Sequence, residues 1–398
     1  MTTRTTEISA GGGGASAAGG LRVSARATGL PHQAIREVME LAWRNPDAIH
    51  LEVGEPGFPT PPHIVEAAAR AARDGHTKYT PNAGIVPLRE ALADKVSRVN
   101  GYEASPDQVV VGAGGVQVLH NVLLALTDPG DEILMPDPAW PDFVQMAHLL
   151  GTPPRFYHQT RETGFLPSVG ELEELVTPRT RVLIVNSPSN PLGAVVPAAL
   201  SSEMVAFAER HGLWLVSDEC YDEIAFDGTF ASPMAVAPSP RVIGAYSFSK
   251  VYAMTGWRVG YCVAPPEVAA VLTRLQEPIV SCVNAPAQMA ALAAVTGPQE
   301  IVAEMRDAYR ARRDAAVELL TAAGVGVLRP AGAFYLWVDI TRSGRDSRDF
   351  AFSLISERGV ATAPGTAFGA AGEGFVRLSM ASERDVLLEG ARRLVDHI

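Results

Sequence analysis

Short apolar runs recur through the middle of the chain, and each runs into small or polar residues at its end. "DQVVVGAGG", "EILMPDP", "RVLIVNSPSNP", "LWLVSDECY", "RVIGAYSFSK" and "RVGYCVAP" share this pattern. Most are separated by helix-like stretches. "VPLREALADKVSRVNG" sets Leu88, Leu92, Val96 and Val99 at helical spacing and closes on Gly101, and "VQVLHNVLLALTDPG" reads as the helix after a glycine loop. Short apolar strands alternating with helices predict an α/β fold with a mostly parallel sheet covered on both faces. In such a sheet ligands belong at the carboxyl ends of the strands. The residues at those ends are therefore the candidates for chemistry.

The chain of 398 residues is long enough for two packed domains. After about residue 295 the texture changes. A long helical segment, "EIVAEMRDAYRARRDAAVELLTAAG", precedes the strands "AFYLWVDI" and "GFVRLSM" and a terminal helix begun by Ser382. The expected division is a flexible tail over 1–20, an arm over 21–60 that joins the small domain, a large domain over 61–295, and a C-terminal small α+β domain over 296–398. The first twenty residues lack the apolar run of a secretory signal, and no run approaches the length of a membrane span. A net charge of −11 argues against a nucleic-acid or anionic-membrane partner. Three scattered cysteines, Cys220, Cys262 and Cys282, form no metal-ligand pattern and suit a reducing, cytoplasmic setting.

Within "SFSKVYAMTGWRVGY" Lys250 has no carboxylate beside it, and the next cation is Arg258. Desolvating an ammonium is expensive, so an isolated lysine among apolar and hydroxyl residues requires a reason. Such a lysine is suited to losing its proton and forming a Schiff base with an aldehyde. Asp218 ends another strand, where it reads either as a turn residue or as a carboxylate able to hold a protonated pyridine nitrogen. Ser247, Ser249, Arg258 and the backbone amides at Gly114 and Gly115, ahead of a helix, would neutralise a phosphate. The cofactor that uses all of these is pyridoxal 5′-phosphate.

At these residues the chain resembles the class I/II aminotransferases, the fold type I pyridoxal-phosphate enzymes. The matching segments come in the family's order: "GEPGFPTP", "KYTPNAGIVPLREAL", "GAGGVQ", "PDPAWPDF", "NSPSNPLG", "SDECY", "SFSKVYAMTGWRVGY", "RPAGAFYLW" and "VRLS". The resemblance implies that Lys250 carries the cofactor and shuttles the substrate's α-proton, while Asp218 keeps the ring nitrogen protonated. It implies that Tyr221 and Asn190 bond the ring's phenolic oxygen and that Trp140 stacks on the ring. Gly115, Val116, Ser247 and Arg258 match the phosphate cup. Tyr79 matches a tyrosine that reaches the phosphate of a partner subunit, which implies a homodimer with shared sites. Arg377 matches the arginine that grips the substrate α-carboxylate, and Gly54 a glycine facing the substrate.

Three positions depart from the family pattern. Val116 stands where dicarboxylate-handling relatives often carry lysine, Leu192 stands where threonine is usual, and Ile279 falls where other relatives place a distal-carboxylate arginine. The apolar pair Val116 and Ile279 predicts a neutral, aliphatic or aromatic substrate side chain. The expected activity is transfer of an amino group between an amino acid and a 2-oxo acid. A lyase, cyclase or oxidase of the same fold is the alternative. A ligand sensor fused to a DNA-binding domain has no room in the short segment before the fold.

Overall fold

The computed structural model describes residues 22–31, 34–228 and 230–398. The tail expected over 1–20 lies outside the described residues.

The apolar runs are strands. Val109–Gly112 (β1), Glu132–Asp137 (β2), Pro154–His158 (β3), Thr180–Asn186 (β4), Trp214–Asp218 (β5), Val242–Ser247 (β6) and Gly260–Val263 (β7) form one sheet in the order β1-β7-β6-β5-β4-β2-β3. β7 runs antiparallel to its neighbours β1 and β6, and the remaining pairings are parallel. Every residue of β1, β2 and β7 is buried, as a sheet covered on both faces requires.

The helices that bear on the site are Ala34–Ala42 (α1), Val86–Lys95 (α2), Gly115–Leu126 (α3), Glu300–Ala322 (α4), Ser347–Arg358 (α5) and Arg384–Val395 (α6). Strand residues alternate between two cores, following the period of two along a pleat. Ile133, Met135, Val182, Ile184 and Val216 pack with Val118, Leu119 and Val122 of α3 on one face. Leu134, Leu183, Val185 and Leu215 pack with Met204 and Phe207 on the other. Leu88, Leu92 and Val96 are fully buried, but Val99 is 37% exposed. The chain widens into a π-turn over Val96–Asn100 before Gly101 closes it at φ 79°, and the extra residue in that turn rotates Val99 outward.

Val327–Leu328 (β8), Tyr335–Asp339 (β9), Ala363–Pro364 (β10) and Phe375–Ser379 (β11) make an antiparallel sheet in the order β10-β11-β9-β8. Its core joins Leu336, Val338, Val376 and Leu378 to residues of α4, α5 and α6. The segment before the large sheet is tied to these later elements. Ile49–His50 pairs with Val360–Ala361, and Val38 and Ala42 of α1 pack on Ala351 and Ile355 of α5. The terminal helix starts later than expected from Ser382. Glu383 occupies the N-cap, while the Ser382 hydroxyl donates instead to the His50 carbonyl at 3.1 Å. Among the described residues, no helix is long and apolar enough to cross a membrane.

Candidate active site

Sheet register puts the candidate residues along one edge. Asn186 at the end of β4 lies opposite Asp218 at the end of β5, and Asp218 lies opposite Ala245 of β6. β6 ends on Ser247, and one helical turn, Phe248–Val251, then carries Lys250. Because β7 runs backwards, its first residue, Gly260, faces both Ser247 and Gly112. Arg258, two residues earlier, thus reaches the same edge as the parallel strands' ends. A cleft of about 320 Å³ opens there, lined by Gly54, Gly115, Val116, Trp140, Asn190, Asp218, Tyr221, Ser247, Ser249, Lys250, Arg258 and Arg377.

One end of the cleft suits an anion. Gly114 caps α3 at φ 85°, a left-handed conformation that glycine adopts without strain, and a Cβ there would strike the Arg258 guanidinium. The first turn of α3 therefore presents free amides beside a guanidinium. Arg258 is itself left-handed at φ 54° and is held by donating to the Thr255 carbonyl at 2.7 Å. The Ser247 hydroxyl accepts the Ser249 amide at 3.2 Å.

At the floor, Asp218 is 4% exposed, and its Oδ1 accepts the Cys220 amide at 3.2 Å. Burial pushes its carboxyl up to about 6, against the opposing pull of that amide and of the Lys250 charge. Burial likewise lowers Lys250 below the ordinary lysine range, and the Arg377 and Arg258 charges act in the same direction. Its Nζ donates to the Gly54 carbonyl. The Tyr221 and Tyr335 hydroxyls share a hydrogen bond of 2.8 Å, and burial holds Tyr221 well above the usual phenol range.

The other end comes from the later sheet. Arg377 on β11 is only 3% exposed, with its guanidinium over the Tyr335 ring at 4.3 Å and the Phe368 ring at 4.7 Å. It donates to Asn190 Oδ1 at 2.9 Å and to the Glu52 carbonyl at 2.5 Å, while its Nε has no partner. Gly54 is required by close approach, since a Cβ there would collide with the Tyr335 hydroxyl. Trp140 stands in the wall, edge-on to Phe143 at 5.4 Å.

These residues fit the phosphate, the ring nitrogen and the carboxylated substrate of pyridoxal 5′-phosphate chemistry. A helix N-terminus and an arginine meet the anion. A buried carboxylate with no charged hydrogen-bond partner suits a pyridinium proton, and the orphaned Nε of Arg377 awaits an acceptor. Ile279, and Tyr79 with its expected role at a partner subunit's phosphate, lie outside this chain's cleft. Tyr79 is 89% exposed and lines a separate surface groove with Lys78, Cys282 and Val283. Ile279 is 41% exposed and is absent from the cleft lining, so within one chain it cannot shape the side-chain pocket. Leu192 is fully buried in a small core with Trp337 and Phe368. Sequence reasoning missed Asn186, Cys220 and Tyr335, which line the cleft, and also Ile35, Arg36 and Met39 of α1. Tyr335 lay within a segment already singled out, "RPAGAFYLW"; the α1 residues lie before every such segment.

Comparison with known proteins agrees with the geometry. The family described as "Aminotransferase class I and II" matches residues 46–394. A probable aspartate/prephenate aminotransferase of Aquifex aeolicus is 40% identical over 365 residues, covering 89% of this chain and 92% of that protein. Aromatic-amino-acid aminotransferase 2 of Thermococcus litoralis is 38% identical, covering 90% and 94%. The structure of Thermus thermophilus aspartate aminotransferase with maleate superimposes with a TM-score of 0.90 at 38% identity, covering 95% of this chain and all of that one.

Proposed function

The chain belongs to the class I and II aminotransferases, a pyridoxal-phosphate-dependent family, and on that premise we propose that its cleft transfers the amino group of a neutral, aliphatic or aromatic amino acid to a 2-oxo acid. The observation that carries the reading is the pairing of a half-buried, pKa-lowered lysine with a buried carboxylate at adjacent strand ends. Pyridoxal 5′-phosphate supplies an aldehyde carbon that accepts the amino group and a ring that draws electrons from the substrate α-carbon.

The chain's own residues do the rest. Arg258, Ser247, Ser249 and the amides after Gly114 hold the phosphate, with Val116 at the same turn. Asp218 would hold a proton on the ring nitrogen, Tyr221 and Asn190 would bond the ring's oxygen, and Trp140 would stack on the ring. Arg377 grips the substrate α-carboxylate through its fork, steered by Asn190 and the Glu52 carbonyl. Nζ of Lys250, kept in its neutral form more readily by burial, is the base that takes the α-proton and returns it. Val116, Leu119, Ile35 and Met39 give the pocket an apolar wall, which supports a neutral side chain.

The arm over 21–60, the large domain over 61–295 and the small domain over 296–398 are proposed as the units that carry these parts. A homodimer is proposed in which Tyr79, solvent-facing in a single chain, reaches the partner's phosphate. Borohydride reduction of the holoenzyme followed by peptide mapping should place the pyridoxyl label on Lys250. In a panel of aspartate, glutamate, leucine, methionine and phenylalanine, one of the last three should convert the bound cofactor with the highest kcat/KM. A label on another lysine would sink the catalytic assignment, and aspartate as best substrate would sink the side-chain preference.

A further inference from the structure

Among the described residues four cations line the cleft, and the chemistry above employs Lys250, Arg258 and Arg377. The fourth is Arg36. It comes from α1, one side of which is fixed against the later domain: Val38 and Ala42 pack on Ala351, Ile355 and Ala361, and Glu37 pairs with Arg348. At roughly 100° per residue, Ile35 and Met39 lie next to that packed stripe and Arg36 lies furthest from it. All three face the cleft. Arg36 is exposed and forms no ion pair with any described residue. The acids of the lining are otherwise engaged. Glu52 is bonded to His50 at 2.8 Å, Asp218 lies at the floor, and Asp142 has a partner of its own.

An aminotransferase seats two different side chains in one pocket in succession. The donor leaves as its 2-oxo acid before the acceptor enters, and the acceptor leaves as the second amino acid. A carboxylate-bearing side chain set against Val116 and Leu119 alone would be desolvated without a counter-charge. We propose that Arg36 supplies that counter-charge: it grips the side-chain carboxylate of a dicarboxylic 2-oxo acid, which serves as the amino acceptor. The planar fork matches a carboxylate, and the flexible stem lets the head turn out to water when a neutral side chain fills the pocket. The cation missing at position 116 is thus provided from α1, and the same cleft takes both classes of substrate. This rests on the aminotransferase reading above.

The test uses holoenzyme and two inert carboxylates, glutarate and 3-phenylpropionate, with binding read by calorimetry and by the cofactor's visible spectrum. Arg36→Met should weaken glutarate on the order of tenfold, the size of a partly exposed charge-assisted pair, and 3-phenylpropionate by less than about threefold. Arg36→Lys should recover part of the glutarate affinity. With 2-oxoglutarate as acceptor, the loss in Arg36→Met should appear mainly in KM, because the contact is remote from the reacting carbon. Equal weakening of both ligands, or no weakening of glutarate, would overturn the role of Arg36. If instead no amino acid converted the cofactor of the wild-type protein, the aminotransferase reading would fail first.

Discussion

At the scale of single residues, Asp218 shows a conflict between stability and function. Its carboxyl is raised from 3.8 to about 6 in the folded chain, burial being the largest cause. A carboxylate with a raised folded pKa makes the fold less stable as pH climbs from about 4 through about 6, and the whole penalty is present above that. At about 1.4 kcal/mol per unit, the penalty is about 3 kcal/mol at neutral pH. Cofactor-free Asp218→Asn should therefore melt above the cofactor-free parent at pH 7, with the gap closing below about pH 4. The same variant should lose at least ~100-fold in kcat/KM, because an amide cannot hold a pyridinium proton by charge. Thermal melts across pH, set beside steady-state rates, check both halves; a variant that is less stable at pH 7 would show that Asp218 is not strained by its burial. Arg377 was the residue whose setting the sequence concealed most. A strand arginine usually points to water, and only the pairing of β11 with β9, together with the Glu52 carbonyl, reveals why this one is buried.

At the scale of elements, the strand ends were legible because apolar runs stop where polar chemistry begins. β3 was not, since "PRFYH" begins on proline, carries Arg155 and is mostly half-buried at the edge of the sheet. The reversal of β7 was equally hidden, although it is what brings Arg258 to the site; nothing in "RVGYCVAP" encodes strand direction. The segment after β5 is anchored by α2, whose last residue, Lys95, is buried against Asp222, with Glu223 at 3.6 Å. Lys95 also donates to Asn100 Oδ1 at 2.9 Å, and Asn100 in turn donates to Asp222 at 2.9 Å. Burial alone would lower the Lys95 ammonium, but Asp222 and Glu223 outweigh it and hold it above the ordinary range. Removing the lysine strands two acids in the interior. Lys95→Met should cost about 3–5 kcal/mol, and adding Asp222→Asn should restore part of it. Chemical denaturation of the single and double variants decides this. Independent, additive losses would mean that the cluster does not work as a unit.

At the scale of the whole molecule, Tyr79 stands apart from its own chain's cleft, as a residue meant to serve a second copy of the chain would. Tyr79→Ala and Lys250→Ala should each be nearly inactive. Dissociated, mixed and reassembled, they should regain about a quarter of wild-type sites, since half the dimers are hybrids with one intact site each. Activity no higher than either single variant, with subunit exchange verified by mass, would refute the shared site. A last consequence follows from where along the chain the cleft's parts are encoded. The proposed cofactor-holding residues are complete once Arg258 has been made, but the arginine proposed for the substrate α-carboxylate comes at 377, and it closes on a carbonyl made 325 residues earlier. On the ribosome, which releases the chain from its amino end, the cofactor's half of the site is in hand long before the α-carboxylate's anchor exists. A nascent or prematurely ended chain would therefore have the parts for the vitamin but no anchor for the α-carboxylate that every amino acid carries, so catalysis waits on the final stretch of synthesis.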